Sequence, residues 1–587
     1  MASDSSSLAY HEPSITTIII LSGFLILLNT VNYGLDKLVY CGLIGQVFLG
    51  IAWGTPGAKW LSEELESSIM QLGYLGLILV VYEGGLSTSF KSLKANLLLS
   101  TGVAATGIAI PIGLSFTLRS LVGATPLQAF AAGAALCSTS LGTTFTVLGT
   151  SGLTATRLGV VLTSAAMMDD VIGLIMVQVV ANLGGGDFSA VTVVRPVLVS
   201  LGFATVVPAG CRLLVQPATS WLNAKREKAP GSKLDTILRK RQTAFVLHTL
   251  WLFGLVVGGT FAGTSSLLAA YVAGATISWW DSEVPHVPPS ATSACQTTAT
   301  QVESSDVQKA VKAGSPGGET SAGSPAAPVS QPSTETGVEN SGAQIYEHYY
   351  GKAVEHVLKP FFFASIGFSV PITRMFSGPI VWRGIVYTIL MVVSKLLCGV
   401  WLLSFASPLQ TVQRIVKKTS GTRKQAKKLA PGAQCAGPVS DAAPNSSETS
   451  TQRQPQNEQG NQHQDVALQP LDIQRPGASP KNASPQPEMP ISVYPACILG
   501  FAMVARGEIG FLISALAEST GIFSGGSGSP AQPSELFLIV TWAISLCTIV
   551  GPICVGLLVN RVKRLEMQSG KGAGGSGRNV LGAWGVS

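Results

Sequence analysis

"TSAAMMDDVIGLIMVQVV", residues 163–180, sets Asp169 and Asp170 side by side within an otherwise apolar run. One charged side chain at the centre of a membrane helix costs about 2.5–3.5 kcal/mol. Two in succession need a compensating partner or a task. Whether the run crosses a membrane is decided by what surrounds it. The chain has 587 residues, of which 47% are hydrophobic and only 12% charged, and its mean hydropathy is positive. Soluble domains carry about 25% charged residues. Apolar runs of the ~20 residues that span a hydrocarbon core recur throughout. They centre on 15–32, 38–53, 68–82, 96–118, 126–148, 158–182, 191–214, 243–259, 262–280, 353–372, 380–404, 492–517 and 535–559. The fold class expected is therefore an all-α polytopic membrane protein with about thirteen spans.

Charge and cysteine usage exclude other classes. The net charge of +7 comes from Lys and Arg clustered just beyond apolar spans, where the positive-inside rule places them, so no nucleic-acid partner is expected. The basic segments after the seventh, eleventh and last spans ("AKREKAPGSKLDTILRKRQ", "QRIVKKTSGTRKQAKKLA" and "NRVKRLE") fall on one side only with an odd number of spans. That side is taken as cytoplasmic, and the acidic "KWLSEELESS" lies opposite. Nine cysteines without a CxxC pair read as buried hydrophobes rather than a disulfide framework or metal site. No basic n-region precedes "ITTIIILSGFLILLNTV", which reads as a retained span rather than a cleaved signal.

Two polar stretches, 285–345 and 408–490, are rich in Ser, Pro, Gly, Gln and Thr. Such composition buries too little apolar surface to offset ordering entropy, so both are expected to be disordered cytoplasmic insertions. They divide the transmembrane part into residues 1–284, 346–407 and 491–565, and 566–587 form a short cytoplasmic tail. The chain is expected to be multi-pass; nothing in the sequence selects plasma or organelle membrane.

Within the spans, chemistry-bearing residues gather at mid-depth. Entering near Arg157, the sixth span carries Asp169 about 18 Å inward at 1.5 Å per residue. Adjacent helical residues diverge by about 100°, so Asp169 and Asp170 face different neighbours. "TILMVVSKLLCGVWLL" puts Lys395 mid-span, too deep to snorkel to water. A buried ammonium needs a carboxylate or must lose its proton, and an Asp169–Lys395 pair meets both needs. The competing reading is a polar pair that only holds helices together. "FAAGAALCSTSLGTTFTVLGTSG" (130–152), with Ser138, Thr139, Ser140, Thr143 and Thr144, and "ILGFAMVARGEIGFLISALAESTG" (498–521), with Arg506, Gly507 and Glu508, read as interrupted spans. The first also fits a small-residue packing face. Interrupted spans at corresponding places in two halves point to inverted repeats with a midplane site.

Taken in order, "LVVYEGGLSTSF", "AALCSTSLGTTFTVLG", "SAAMMDDVIGLI", "SSLLAAYVAGATI", "LKPFFFASIGFSV", "VVSKLLCGVW" and "GFAMVARGEIGFLI" resemble the sodium/hydrogen exchanger family of cation:proton antiporters. The branch most resembled is the one with paired aspartates and a membrane lysine (NapA/NhaA-like). The resemblance implies an NhaA-type fold with inverted repeats, two crossed broken helices and a homodimer. It implies that Asp170 is the ion-site carboxylate, Asp169 its neighbour paired with Lys395, and Ser138 and Thr139 oxygen ligands. Arg506 and Glu508 would balance charge at the second break. A monovalent cation (Na⁺, Li⁺ or K⁺) and protons would exchange at Asp170 and Asp169, with no cofactor. The rival readings are a cation channel or coupled symporter on the same fold, and a non-transporting membrane sensor. An intramembrane aspartyl protease is disfavoured, because its two aspartates lie on separate helices in YD and GxGD motifs. No P-loop is present.

Overall fold

The structure is a computed structural model. It describes residues 12–39, 42–88, 96–140, 156–184, 190–229, 231–284, 341–406, 492–524 and 533–570, with short pieces at 90, 93, 153, 580–581 and 584–585. The protein is an all-helical, multi-span integral membrane protein, and helices lie on each of the apolar runs named above. By length and composition, eight of the described helices are long and apolar enough to cross a membrane. Residues 407–491 lie outside the described residues, as do 285–340, Thr143 and Thr144.

The first helices are α1 (Ile15–Val39), α2 (Leu43–Trp53) and α3 (Glu63–Leu86). α1 leaves Ile15, Ile19 and Ile26 exposed, as an apolar helix facing lipid does. α3 is started by Ser62, whose side chain accepts from the Leu65 N–H, and by Glu63, Glu64 and Glu66 in its first turn. Carboxylates there complement the helix dipole. Next come α4 (Leu97–Ser115), α5 (Pro126–Ala135), α6 (Arg157–Leu183) and α7 (Ala190–Gly210). α5 opens with a Thr125–Gln128 capping box and Pro126 in its first turn, and then stops well short of a membrane crossing. A π-turn over Cys211–Val215 continues α7 into α8 (Gln216–Lys228), which a short α9 (Lys233–Leu238) follows.

α10 (Arg241–Ala262) ends on Gly263 at φ 87°, a left-handed cap that separates it from α11 (Ser266–Glu283). α11 packs closely on α3. A Cβ on Gly274 would lie 2.2 Å from the Tyr82 carbonyl oxygen, and one on Gly85 2.2 Å from that of Tyr271. Only hydrogens fit at such a crossing. The next helical stretch corrects an expected boundary. Composition places 341–345 in the first insertion, yet Ser341 caps a helix over Gly342–Tyr346. Two π-turns, Glu347–Gly351 and Val354–Leu358, then lead into α12 (Lys359–Phe368). Ile345 and Tyr346 are buried, and Tyr346 packs on Tyr82. The remaining helices are α13 (Gly378–Leu396), α14 (Tyr494–Ala502), α15 (Glu508–Ser519) and α16 (Glu535–Gly570). Leu581 and Trp584 fold back onto the start of α6, with Arg157 Cζ 4.9 Å from the Trp584 ring.

Candidate ion-exchange site

Two helices end prematurely at the same depth, and their unwound ends meet. α5 stops at Ala135 and the chain runs on irregularly through Ser140; α14 stops at Ala502, and α15 starts only at Glu508 after an extended Gly507. The Ser140 N–H donates to the Ala505 carbonyl (2.9 Å). Gly507 makes this approach possible, since a Cβ there would meet Ser140 Oγ at 2.7 Å. Interrupting a helix in a membrane leaves backbone groups that must find partners inside the protein. Here two buried cations supply donors. Arg506 Nη1 donates to the carbonyls of Ser138 (2.7 Å) and Cys137 (3.4 Å). Lys395 Nζ donates to the Cys137 carbonyl at 2.6 Å. Both cations thus sit at the C-terminal end of α5, where its dipole is negative.

α6 passes beside this crossing and carries the aspartates. Lys395 Nζ lies 2.9 Å from Asp169 Oδ2, and both side chains are 0% exposed. The third Lys395 contact is Thr139 Oγ1 at 3.2 Å, so all three ammonium donors are engaged. Thr139 also donates to Asp169 Oδ2. Asp170, one residue on, is 7% exposed and points elsewhere, accepting from Ser138 Oγ at 3.1 Å. Asp169 and Glu508 are the like charges within its electrostatic reach.

The structure therefore brings Ser138, Thr139, Asp169, Asp170, Lys395 and Arg506 together. Thr139, paired in the sequence reading with Ser138 as an oxygen ligand, contacts Asp169 and Lys395, whereas Ser138 contacts Asp170. Arg506 and Glu508 do not pair: among the described residues the ion pairs are Arg226–Asp235, Arg239–Asp235, Arg383–Glu535 and Lys395–Asp169. Glu508 instead occupies the first turn of α15. Among the described residues no group of three or more His, Cys, Asp or Glu side chains is placed to hold a metal ion. Sequence reasoning missed the carbonyls of Cys137 and Ser138. It also missed Thr548, whose hydroxyl donates to the Arg506 carbonyl at 3.0 Å. Backbone acceptors carry no residue signature, and Thr548 has no unusual context in its apolar run.

Comparison with known proteins gives relatives of one kind. Residues 21–292 match the family described as "Sodium/hydrogen exchanger, transmembrane". The high-affinity Na⁺/H⁺ antiporter NhaS3 of Synechocystis is 29% identical over 164 residues, 27% of this chain and 36% of NhaS3. The Na⁺/H⁺-K⁺ antiporter GerN of Bacillus cereus is 27% identical over 258 residues, 43% of this chain and 62% of GerN. Cation/H⁺ antiporter 17 of Arabidopsis thaliana is 32% identical over 254 residues, 40% of this chain and 29% of that protein. The matched regions thus cover less than two thirds of these relatives. A solved structure, the sodium proton antiporter MjNhaP1 of Methanocaldococcus jannaschii, aligns with TM-score 0.47 and 10% identity, over 93% of this chain and 98% of that one.

Proposed function

We propose that this chain is a member of the sodium/hydrogen exchanger family, whose description residues 21–292 match, and that it is a secondary active antiporter exchanging a monovalent cation for protons. The observation that carries the proposal is the division of labour on α6. Asp169 is neutralised by Lys395 at 2.9 Å, and its neighbour Asp170 accepts from the Ser138 hydroxyl and is in no ion pair among the described residues. A carboxylate without a counter-charge at mid-membrane is the costly state. Loaded with a proton or with Na⁺, Li⁺ or K⁺, Asp170 becomes neutral, and the barrier to moving the site across the membrane falls. One carboxylate that must always be loaded couples the two fluxes without ATP. Ser138 is the hydroxyl placed to follow Asp170 between its two loads. Asp169, Lys395 and Thr139 hold the crossing in register, and Arg506 fixes the carbonyls that frame it.

We assign the chain to the paired-aspartate branch with an NhaA-type arrangement of inverted repeats and two crossed broken helices, working as a homodimer. The interlocked breaks at 136–140 and 503–507 support that assignment, as does the aspartate pair. In this reading 1–284, 341–407 and 491–565 form one exchanger domain, while 285–340 and 408–490 are cytoplasmic insertions dispensable for exchange, and 566–587 form the cytoplasmic tail.

The test uses the purified chain in proteoliposomes with a trapped pH dye, challenged with Na⁺, Li⁺ and K⁺ in turn. Wild type should dissipate a proton gradient on cation addition. Asp170→Asn keeps the shape but removes the exchangeable charge, and should reduce that flux to the level of empty liposomes. Cation-driven proton flux at wild-type rate in Asp170→Asn would sink the assignment. Cation flux without proton movement would favour the channel reading.

A further inference from the structure

The basic hairpin between α7 and α10 is not used by the exchange site. Residues 212–241 hold eight Lys or Arg against two acidic residues. α8 has no buried residue at all, so packing within the chain does not explain it. Its amphipathic pattern does point somewhere. Leu214, Trp221, Lys225 and Lys228 recur at helical spacing along one face, and Leu214 and Trp221 are 72% and 65% exposed. Lys225 Nζ lies 5.2 Å from the Trp221 ring. The opposite side of α8 is clasped. Asp235 receives Arg226 Nε at 3.0 Å and Arg239 Nε at 2.9 Å, and the Ser232 side chain caps α9. Burial works to raise the Asp235 carboxyl, but hydrogen bonds from Arg239 and Arg226 outweigh it and hold the group below the usual carboxylate range. The hairpin therefore stays closed at neutral pH with Lys225, Lys228 and Lys233 on its outside.

Its position follows from length. The continuous helical stretch Val191–Lys228 has 38 residues, about 57 Å at 1.5 Å per residue, against a hydrocarbon core of about 30 Å. Its last turns stand at and beyond the headgroups, and α9 returns the chain to α10 at Arg241. Exposed Trp and Leu beside lysines suit the interfacial layer, where the rings sit among headgroups and ammonium groups reach phosphates. We propose that this α8–α9 hairpin is a docking surface for anionic phospholipid headgroups. Since α8 continues α7, which packs on the aspartate helix α6, lipid held here braces the cytoplasmic end of that pair. The inference concerns lipid contact and stands whether or not the exchange reading holds.

The experiment follows amide hydrogen exchange of the full chain in nanodiscs of phosphatidylcholine alone and of phosphatidylcholine with phosphatidylglycerol. Anionic discs should slow exchange across 216–240 about fivefold, and ionic strength of about 1 M, with a Debye length of ~3 Å, should erase the effect. The triple variant Lys225→Glu, Lys228→Glu, Lys233→Glu should lose the protection. Unchanged exchange across α3 in the same discs reports that the variant is folded. Equal exchange in the two compositions overturns the proposal, and so does protection that survives charge reversal. Protection by inorganic phosphate in neutral discs, equal to that of the lipid, also overturns it, because the site would then be one for free phosphate.

Discussion

Lys395 and Arg506 are both fully buried cations at the end of α5, and they are satisfied in opposite ways. Lys395 meets a carboxylate, a hydroxyl and a carbonyl. Arg506 donates through Nη1 to two carbonyls, those of Ser138 and Cys137, and is in no ion pair among the described residues. The difference separates a charge whose loss strands another charge from one whose loss strands only dipoles. A lone ion in low dielectric costs several kcal/mol more than a lone carbonyl. The lysine is thus coupled to the aspartate helix, and the arginine to the architecture of the break.

The largest effect should come from breaking the ion pair. Lys395→Met leaves Asp169 without its counter-charge, and removal of one partner of a buried pair costs about 3–5 kcal/mol. The double variant Lys395→Met, Asp169→Asn removes both charges and should recover most of that loss in an SDS unfolding titration. Strictly additive single losses would mean the two side chains share no pairing energy.

Arg506→Met should cost less, about 1–3 kcal/mol, because the Ser138 carbonyl loses its donor while an expensive buried guanidinium disappears with it. No substitution of Glu508 should rescue it, since the two do not pair in the structure. An Arg506→Met loss larger than that of Lys395→Met would invert the comparison, and would mean that the broken segment depends on its arginine more than on the ion pair.

What was legible in the sequence follows the same line. Asp169, Asp170, Lys395, Arg506 and Glu508 announce themselves because a charge in an apolar run has a cost that needs explaining. The spans are legible for the converse reason, since apolar runs of membrane length have few other uses. Partners made of backbone are not legible: the resemblance implies charge balance at the second break for Arg506 and Glu508, and nothing in the sequence marks the carbonyls of Ser138 and Cys137 onto which the guanidinium folds. The start of the helix at Gly342 was missed because "GAQIYEHYY" is polar on one side and resembles the insertion before it. Only Ile345 and Tyr346 packing inward distinguishes it.

The smallest effect extends the comparison to a pair with no charge. Tyr387, 0% exposed on the lysine helix α13, and Ser115, 0% exposed at the end of α4, share a hydrogen bond of 2.6 Å. Ser115 Oγ also donates to the Pro111 carbonyl at 2.7 Å, so its proton is committed there and Tyr387 is the donor between the two. Hydrogen bonds between membrane helices average about 0.6 kcal/mol and reach ~1.7. The two deletions should be unequal. Tyr387→Phe removes the phenol together with its need for a partner, and Ser115 keeps Pro111, so the loss should sit near the average. Ser115→Ala leaves the phenol buried with nothing to donate to, so its loss should sit near the upper figure. Proton flux should survive in both variants, because neither group touches Asp170. If Tyr387→Phe proves the more damaging, or abolishes exchange while the protein remains folded, the tyrosine hydroxyl has a task at the site. Burial of a neutral group beside the crossing would then matter as much as burial of a charge.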